Sequence, residues 1–391
     1  MKIGLIDAEF GTLKNHSFPN LALMKLSGYY KNLGHEVFLI NYSDVSDDFL
    51  FTKTYDKIFI SKVFTKTFCP EYILKLPNVT YGGTGFFYER SPNLPSKIEH
   101  SFPDYTLYDS IIQSRLQHGM GSKTAYKYFL EYSIGYTTRG CFRKCSFCVN
   151  KDSDKVVLHS PISEFYDPKR KKICLLDDNF FGCGQHWERI LLELQGLKTP
   201  FVFKQGLDIR ILSEKKSEML SNCSYDGDFI FAFDSIDDKD LIVKRLKIYN
   251  KFTKRKTLGA ILYCFCGFDK ENKYDLQFWV QDIINCFERI KILMKYHCYP
   301  YIMTFDNWNK APFEFKILYN LVKQWSNGFT TFAKQSFSNF LMSDKINLNK
   351  QKVILRFKEK YKNQIDFETY FNRSFNKNLQ VNKNEQYKQL F

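Results

Sequence analysis

The sequence predicts an α/β protein in two successive β/α series, the first a small parallel sheet and the second a partial six-unit barrel. Three observations carry that expectation. Short apolar runs alternate with stretches of helical spacing along most of the 391 residues. β-Hairpin punctuation between them is scarce, which favours parallel strands joined by helical crossovers. Apolar residues make up 44% and charged residues 25%, close to the averages of folded soluble proteins, so wholesale disorder is excluded. The length allows two or three domains with a well-buried core.

The first series opens with a strand over Lys2–Asp7. Pro19–Lys31 follows, with Leu21, Leu23, Met24, Leu26 and Tyr29–Tyr30 at near-helical spacing, and Gly34 stops that helix before a strand over Glu36–Asn41. Lys57–Val63 is a third apolar run and Val79–Tyr81 a fourth, ending at Gly82-Gly83-Thr84-Gly85. Parallel sheets take their ligands at the carboxyl ends of the strands, so Asp7–Gly11 and Gly82–Gly85 are expected on one edge. The glycine stretch lacks the full G-x-G-x-x-G spacing and reads as a turn. Residues 1–87 are read as one domain. Residues 88–130, with Pro92, Pro95 and Pro103, are read as a connecting segment.

The second series has expected strands over Ser133–Thr138, Lys172–Asp177, Phe201–Gly206, Phe229–Asp234, Thr257–Gly267 and Tyr301–Phe305. Helical patterns fall between most of them, notably Gln185–Leu194, Glu214–Ser221, Lys239–Tyr249 and Val280–Tyr296, and Pro312–Trp325 follows the last strand. Six units are too few for a closed eight-stranded barrel, so an open or partial barrel is expected over 131–330. The remainder, 331–391, reads as a basic extension with one helix over Lys350–Lys360 and a tail beyond Arg373 polar enough for disorder.

The chain carries 57 Lys+Arg against 42 Asp+Glu, a formal charge of +15. From Thr331 to Phe391 there are 12 Lys/Arg and 5 Asp/Glu, which concentrates nearly half of the surplus on about a sixth of the chain. Such a field draws nucleic acid or acidic substrates, while a compositional bias toward Lys, Asn, Phe, Tyr and Ile accounts for it equally well. Aromatics reach 17% and mostly follow strand or helix periodicity, so they read as core. The longest apolar run, Leu258 to Phe268, is too short to span a membrane. Met1–Asp7 reaches a carboxylate too soon for a secretory leader. A cytoplasmic, reducing location follows, where clustered cysteines among the 11 in the chain suggest metal or catalysis rather than disulfides.

Cys141-Phe142-Arg143-Lys144-Cys145-Ser146-Phe147-Cys148 is the most informative stretch. Three cysteines follow a strand and a turn glycine, Gly140, and their short spacers make the sulfurs converge. Iron–sulfur clusters are held by convergent thiolates of this kind. Three local ligands to a four-iron cubane leave one iron open, the mark of a catalytic rather than a sealed centre. Arg143 and Lys144 would help to stabilise the negative charge of a thiolate-bound cluster. A zinc knot is the competing reading, but Cys174 and Cys183 form no second pair motif. Cys264 and Cys266 share one face of a strand and read as packing. Cys69, Cys223, Cys286 and Cys298 are isolated.

Cys-x3-Cys-x2-Cys with an aromatic residue before the third cysteine, after the first strand of a six-unit β/α series, resembles the radical S-adenosylmethionine superfamily over roughly Ser133 to Trp325. The resemblance implies a Rossmann-like first domain followed by a TIM-type partial (β/α)6 barrel. It implies that Cys141, Cys145 and Cys148 ligate a 4Fe-4S cluster whose open iron takes S-adenosylmethionine, with Phe147 backing the adenine. One electron from a reductant such as flavodoxin or ferredoxin would then cleave the sulfonium bond to methionine and a 5′-deoxyadenosyl radical, which abstracts hydrogen from substrate. Polar groups recur where the strands end, at Asp177-Asp178-Asn179, at Gln205, Asp208 and Arg210, at Asp234-Ser235, at Asp269 and at Asp306-Asn307. Asp178 and Asn179 stand where family members carry a glycine–glycine–glutamate segment that takes the methionine amino group, a pattern this chain departs from. Arg210 would pair with the methionine carboxylate, and Gln205 and Asp208 would reach the ribose hydroxyls. No residue is singled out as acting on the substrate itself.

Pro19–Leu26, Gly34-His35-Glu36-Val37 and Tyr81-Gly82-Gly83 resemble the cobalamin-binding-like domain that precedes the barrel in one class of that superfamily. Asp7–Gly11 lacks an Asp-x-His-x-x-Gly motif, and His35 reads as a surface histidine. A domain that keeps the scaffold without cobalamin is favoured. Cobalamin-dependent methyl transfer stays open as an alternative activity, as does, in a different class, a metal-knotted nucleic-acid-binding module. The substrate itself is not legible, and nucleic acid is among the candidates.

Overall fold

The computed structural model describes residues 1–12, 16–42, 54–88, 91–150, 153–254 and 259–375. It divides into two compact units, Met1–Gln205 and Gly206–Phe391. Both are mixed α/β with parallel sheets.

The first unit opens with strand β1 (Lys2–Asp7), in which all but Lys2 are buried. With β2 (Glu36–Leu39), β3 (Lys57–Ser61) and β4 (Val79–Gly82) it forms a parallel sheet in the order β2-β1-β3-β4. The register places Leu5 beside Leu39 and Phe59, and Asp7 beside Ser61. Leu21–Asn32 is the crossover helix, and the Asn20 side chain caps it by accepting the Leu23 N–H. Leu23, Met24 and Leu26 of its buried side pack in one core with Ile3 and Leu5. The stretch 88–130, read as a connection, also supplies that core: Ile98, Tyr105, Leu107, Tyr108, Ile112, Tyr126 and Phe129 belong to it. Its sparse apolar spacing hid this, because short helices such as Ser96–Glu99 and Lys127–Leu130 bury one residue each, Ile98 and Phe129. Tyr108 also holds the sheet edge directly, donating its hydroxyl to Asp7 Oδ2 at 2.7 Å and accepting the Asn20 N–H at 3.1 Å.

The second β/α series begins in the same unit. β5 (Tyr132–Gly135), β8 (Lys172–Leu175) and β9 (Phe201–Phe203) form a parallel sheet in the order β5-β8-β9. Between β5 and β8 the chain makes a short antiparallel pair, β6 (Thr138–Arg139) with β7 (Val157–Leu158), so the single expected strand Ser133–Thr138 is broken at residues 136–137.

In the second unit β10 (Ile230–Ala232), β11 (Ile261–Cys266) and β12 (Tyr299–Thr304) form a third parallel sheet, in that order. β12 starts two residues earlier than its apolar run suggested, at Tyr299, whose N–H donates to the Ala260 carbonyl, and Pro300 is its second residue. A proline is tolerated there since β12 is an edge strand. Helix Leu276–Lys295 buries Ile283, Cys286, Phe287, Ile290 and Leu293, and helix Phe313–Ser326 buries Phe315, Leu318, Leu321 and Val322. The basic extension is folded over most of its length. Besides Leu348–Tyr361 it carries Phe337–Leu341 and Phe367–Phe371, both anchored by buried phenylalanines. Phe375, beyond Arg373, is buried as well, and the rest of the tail, 376–391, lies outside the described residues. Among the described residues no helix is long and apolar enough to cross a membrane.

Tyr108→Phe removes the donor to a buried carboxylate, and a hydrogen bond to a charged group is worth about 1.5–3 kcal/mol. Urea unfolding is expected to show a loss of that size. An unchanged midpoint would show that stretch 88–130 does not secure β1 through this contact.

Candidate functional site

The cysteine loop is built from the ends of β5 and β8. Asp177 lies just past β8 and is almost wholly buried, at 1% exposure. Its Oδ1 accepts the Thr137 hydroxyl, the Thr138 N–H and the Thr138 hydroxyl, each at 2.6 Å, and its Oδ2 accepts the Thr137 N–H at 3.2 Å. Burial pushes the Asp177 carboxyl above its usual range, and the bonds from Thr137 and Thr138 oppose that rise. Two β-branched hydroxyl residues and one carboxylate thereby fix where the chain leaves β5.

The loop then turns at Gly140, whose φ of 94° is left-handed and where a Cβ would lie 2.4 Å from the Lys155 carbonyl. Only glycine fits. Gly140 N–H donates to Asp178 Oδ2 at 2.8 Å, and Cys141 N–H to Ser153 Oγ at 2.8 Å. Lys144, between the first two cysteines, also adopts a left-handed φ of 45°. Cys148 N–H closes a turn on the Cys145 carbonyl at 2.9 Å.

Cys141, Cys145 and Cys148 take part in no disulfide among the described residues and are of intermediate exposure. Arg143 N–H points at Cys141 Sγ at 3.5 Å, Asn179 Nδ2 at the same sulfur at 3.4 Å, and Asn150 N–H at Cys148 Sγ at 3.4 Å. N–H groups aimed at cysteine sulfurs are among the levers by which a protein holds and tunes an iron–sulfur cluster. As placed, the sulfurs do not form a closed cage. Among the described residues no group of three His, Cys, Asp or Glu side chains is drawn together for a metal ion. The donor chemistry fits a thiolate-bound cluster: three cysteines on one loop, the sulfurs of Cys141 and Cys148 already facing N–H donors.

Asp178 and Asn179, read for the methionine amino group, are thus brought to the cysteine loop and bonded to it. Phe147 is half-buried on the loop, and Gln205 is exposed at the end of the first unit. The Arg143 guanidinium lies 4.9 Å above the Phe142 ring, and Lys144 pairs with Asp154 at 2.7 Å.

Asp208 and Arg210 belong to the second unit, where they meet each other. Arg210 Nε donates to Asp208 Oδ1 at 2.8 Å, and its Nη1 to Asp238 Oδ2 at 3.2 Å. Sequence reasoning passed over the neighbouring Arg289. Its side chain is almost wholly buried, at 1% exposure, and its Nη1 donates to the carbonyls of Phe233, Asp234 and Phe265 at 3.0, 2.9 and 2.9 Å. Its Nη2 reaches Cys266 Sγ at 3.2 Å. The signal was present: Arg289 sits one turn from Cys286 and Leu293 on the apolar face of helix Leu276–Lys295. Asp234, at the end of β10, has a buried Oδ1 that accepts no hydrogen bond among the described residues. Burial raises its carboxyl from 3.8 to about 6, against the pull of Arg289 and Arg210.

At the carboxyl edge of the first sheet the chain uses its own groups. Glu9 is fully buried, and its Oε1 accepts the N–H groups of Val63 and Phe64 at 2.9 and 3.0 Å. Gly83 has a φ of 103° and packs on the Lys62 carbonyl, which a Cβ would approach to 2.2 Å. That glycine serves close backbone packing. The N–H pair past β3 is spent on Glu9.

By sequence, no protein-family model and no curated protein matches the chain. Among solved structures it is similar to the radical S-adenosylmethionine methyltransferase TsrM from Kitasatospora setae, described with tryptophan substrate and a SAM analogue bound. The identity is 11% and the TM-score 0.47, over 74% of this chain and 71% of that one. It is also similar to OxsB, a cobalamin-dependent S-adenosylmethionine radical enzyme described with aqua-cobalamin and S-adenosylmethionine bound. There the identity is 14% and the TM-score 0.46, over 93% of this chain and 62% of OxsB.

Two outcomes are expected. Asp177→Ala deletes four bonds to a buried carboxylate and should cost about 3 kcal/mol or more in denaturant unfolding; a loss below about 1 kcal/mol would remove Asp177 as the loop's anchor. Asp234 has a raised carboxyl, so the folded state holds its proton more tightly than the unfolded chain. The stability it contributes is present below about pH 4 and is lost as pH rises toward about 6. Asp234→Asn should abolish that part of the pH dependence; identical profiles for the two proteins would refute the assignment.

Proposed function

We propose that the chain is a radical S-adenosylmethionine enzyme, with Cys141, Cys145 and Cys148 as the three protein ligands of a 4Fe-4S cluster and the six-strand β/α series as the partial barrel of that family. The observation that carries this reading is the cysteine loop itself. Three cysteines in Cys-x3-Cys-x2-Cys spacing follow the first strand of the series, on a loop whose N–H groups already face two of the sulfurs. The cluster, when bound, supplies one electron to cleave S-adenosylmethionine and so generates the radical that takes hydrogen from substrate.

The protein's own residues do the holding and orienting. Asp177 fixes the start of the loop through Thr137 and Thr138. Asp178 holds Gly140, and Asn179 donates toward Cys141, so the end of β8 sets the position of the first cysteine. Phe147 would give the adenine an apolar backing. As read from the sequence, Gln205 and Asp208 serve the ribose, and Arg210 the methionine carboxylate. Nε and Nη1 of Arg210 are engaged with Asp208 and Asp238. A flavodoxin- or ferredoxin-type reductant is the implied partner.

Anaerobic reconstitution with iron and sulfide tests the reading. The wild-type protein is expected to take up about four irons, turn brown and release 5′-deoxyadenosine from S-adenosylmethionine under reduction. Each single Cys→Ala substitution at 141, 145 or 148 should abolish that product. Asn179→Ala should weaken cluster retention or turnover roughly 10- to 100-fold. Colourless, iron-free protein, or undiminished product from any of the three cysteine variants, would end the proposal.

A further inference from the structure

The cysteine loop and the segment after it lie side by side in the first unit. Cys141 N–H donates to Ser153 Oγ at 2.8 Å, Lys144 Nζ pairs with Asp154 Oδ1 at 2.7 Å, and Gly140 packs on the Lys155 carbonyl. A Cβ at Gly182 would meet Phe142 Cε1 at 2.7 Å and Val156 Cγ2 at 2.8 Å, so those two side chains are neighbours at the turn after β8. Phe142 is nevertheless 37% exposed, and the Arg143 guanidinium lies over its ring. An apolar ring beside a cation is therefore presented to solvent next to Cys141.

The charge around that ring is of one sign. Among the described residues of 140–158, Arg143, Lys144 and Lys155 stand against a single acid, Asp154. Lys144, Asp154 and Lys155 are exposed. The Lys144–Asp154 pair is open to water, so it adds little stability and its members exchange readily with charges from outside. Exposed charges act over about 10 Å at 0.1 M salt. These groups therefore form one field whichever way each side chain turns.

We infer that this face of the cysteine loop is the docking surface for the electron donor, an acidic one-electron carrier protein. The inference rests on the function proposed above for the cluster, and on the first unit alone for the surface. The carrier loses one electron, the cluster gains it, and no bond forms or breaks in either protein. Electron tunnelling falls steeply with distance, so the donor must seat against the loop that bears the ligands, and Phe142 offers it an apolar contact there. Encounters of electron carriers bury little area, which one ring and its surroundings can supply. Opposite charges on the two partners raise the association rate rather than the lifetime of the complex, which suits a carrier that must leave once oxidised.

The test uses the full-length protein, reconstituted anaerobically, with reduced flavodoxin as the carrier and photoreduced deazariboflavin as an uncharged donor. Bleaching of the cluster by flavodoxin is expected to be fast at low salt and to slow as salt rises. Lys155→Glu should slow it about tenfold and Asp154→Asn should quicken it, the rates converging at high salt. With deazariboflavin all three proteins should bleach alike, which separates lost docking from a damaged cluster. Carbodiimide condenses a carrier carboxylate with a lysine amine and takes up the water as its urea. It should join flavodoxin to Lys144 or Lys155, with or without the cluster, as mapped by peptide mass spectrometry. Equal flavodoxin rates in the three proteins, no flavodoxin reduction of a cluster that deazariboflavin reduces, or cross-links confined to lysines outside 140–158 would overturn the inference. Cross-links at Lys144 or Lys155 in a protein that takes up no iron would sustain the contact and discard the enzyme reading.

Discussion

The carboxylate of Asp177 is the constraint on which the cysteine loop depends. A buried carboxylate is costly unless every lone pair is used, and here four donors come from two consecutive residues at the end of the neighbouring strand. Because those donors include two backbone N–H groups, the interaction fixes the path of the main chain and not only a pair of side chains. The chain can leave β5 in one direction, reach the left-handed turn at Gly140, and present Cys141 to Asn179. Any other end for β5 would bury the Asp177 charge unpaired.

A buried charge of opposite sign does similar work in the second unit. Arg289 bonds three carbonyls from the ends of β10 and β11, groups that regular sheet pairing no longer satisfies once the strands stop. The carbonyl and the carboxyl of Asp234 play different parts there: the first accepts from Arg289, and the second is left with an oxygen that has no hydrogen-bond donor among the described residues. Strand ends in both units are therefore set by a charged side chain rather than by the apolar core.

Aromatic abundance in this chain has two physical origins. Many rings are plain core, as with Phe315 between Phe357 and Tyr361. Others, such as Tyr263, Phe265 and Tyr301, stay partly or largely exposed on their strands. Composition alone merges the two groups, since a phenylalanine at strand spacing carries the same pattern on a covered face as on an open one.

What could be read from the chain was what is local. Strand Lys2–Asp7 and helix Glu214–Ser221 lie where their periodicity places them, and the spacing of three cysteines after a strand marks the loop without any fold. Short aromatic helices such as Phe337–Leu341 escaped notice because they hold through packing and not through propensity. The partners of Asp177 lie 39 and 40 residues away in the chain, and those Arg289 reaches on the sheet lie 23 to 56 away. Neither pattern nor propensity carries information over such a separation. Sequence therefore determined the order of the β/α units and the identity of the thiols. Tertiary structure alone decided which carboxylate anchors their loop and which arginine is buried, because burial and pairing are properties of residues brought together only by folding.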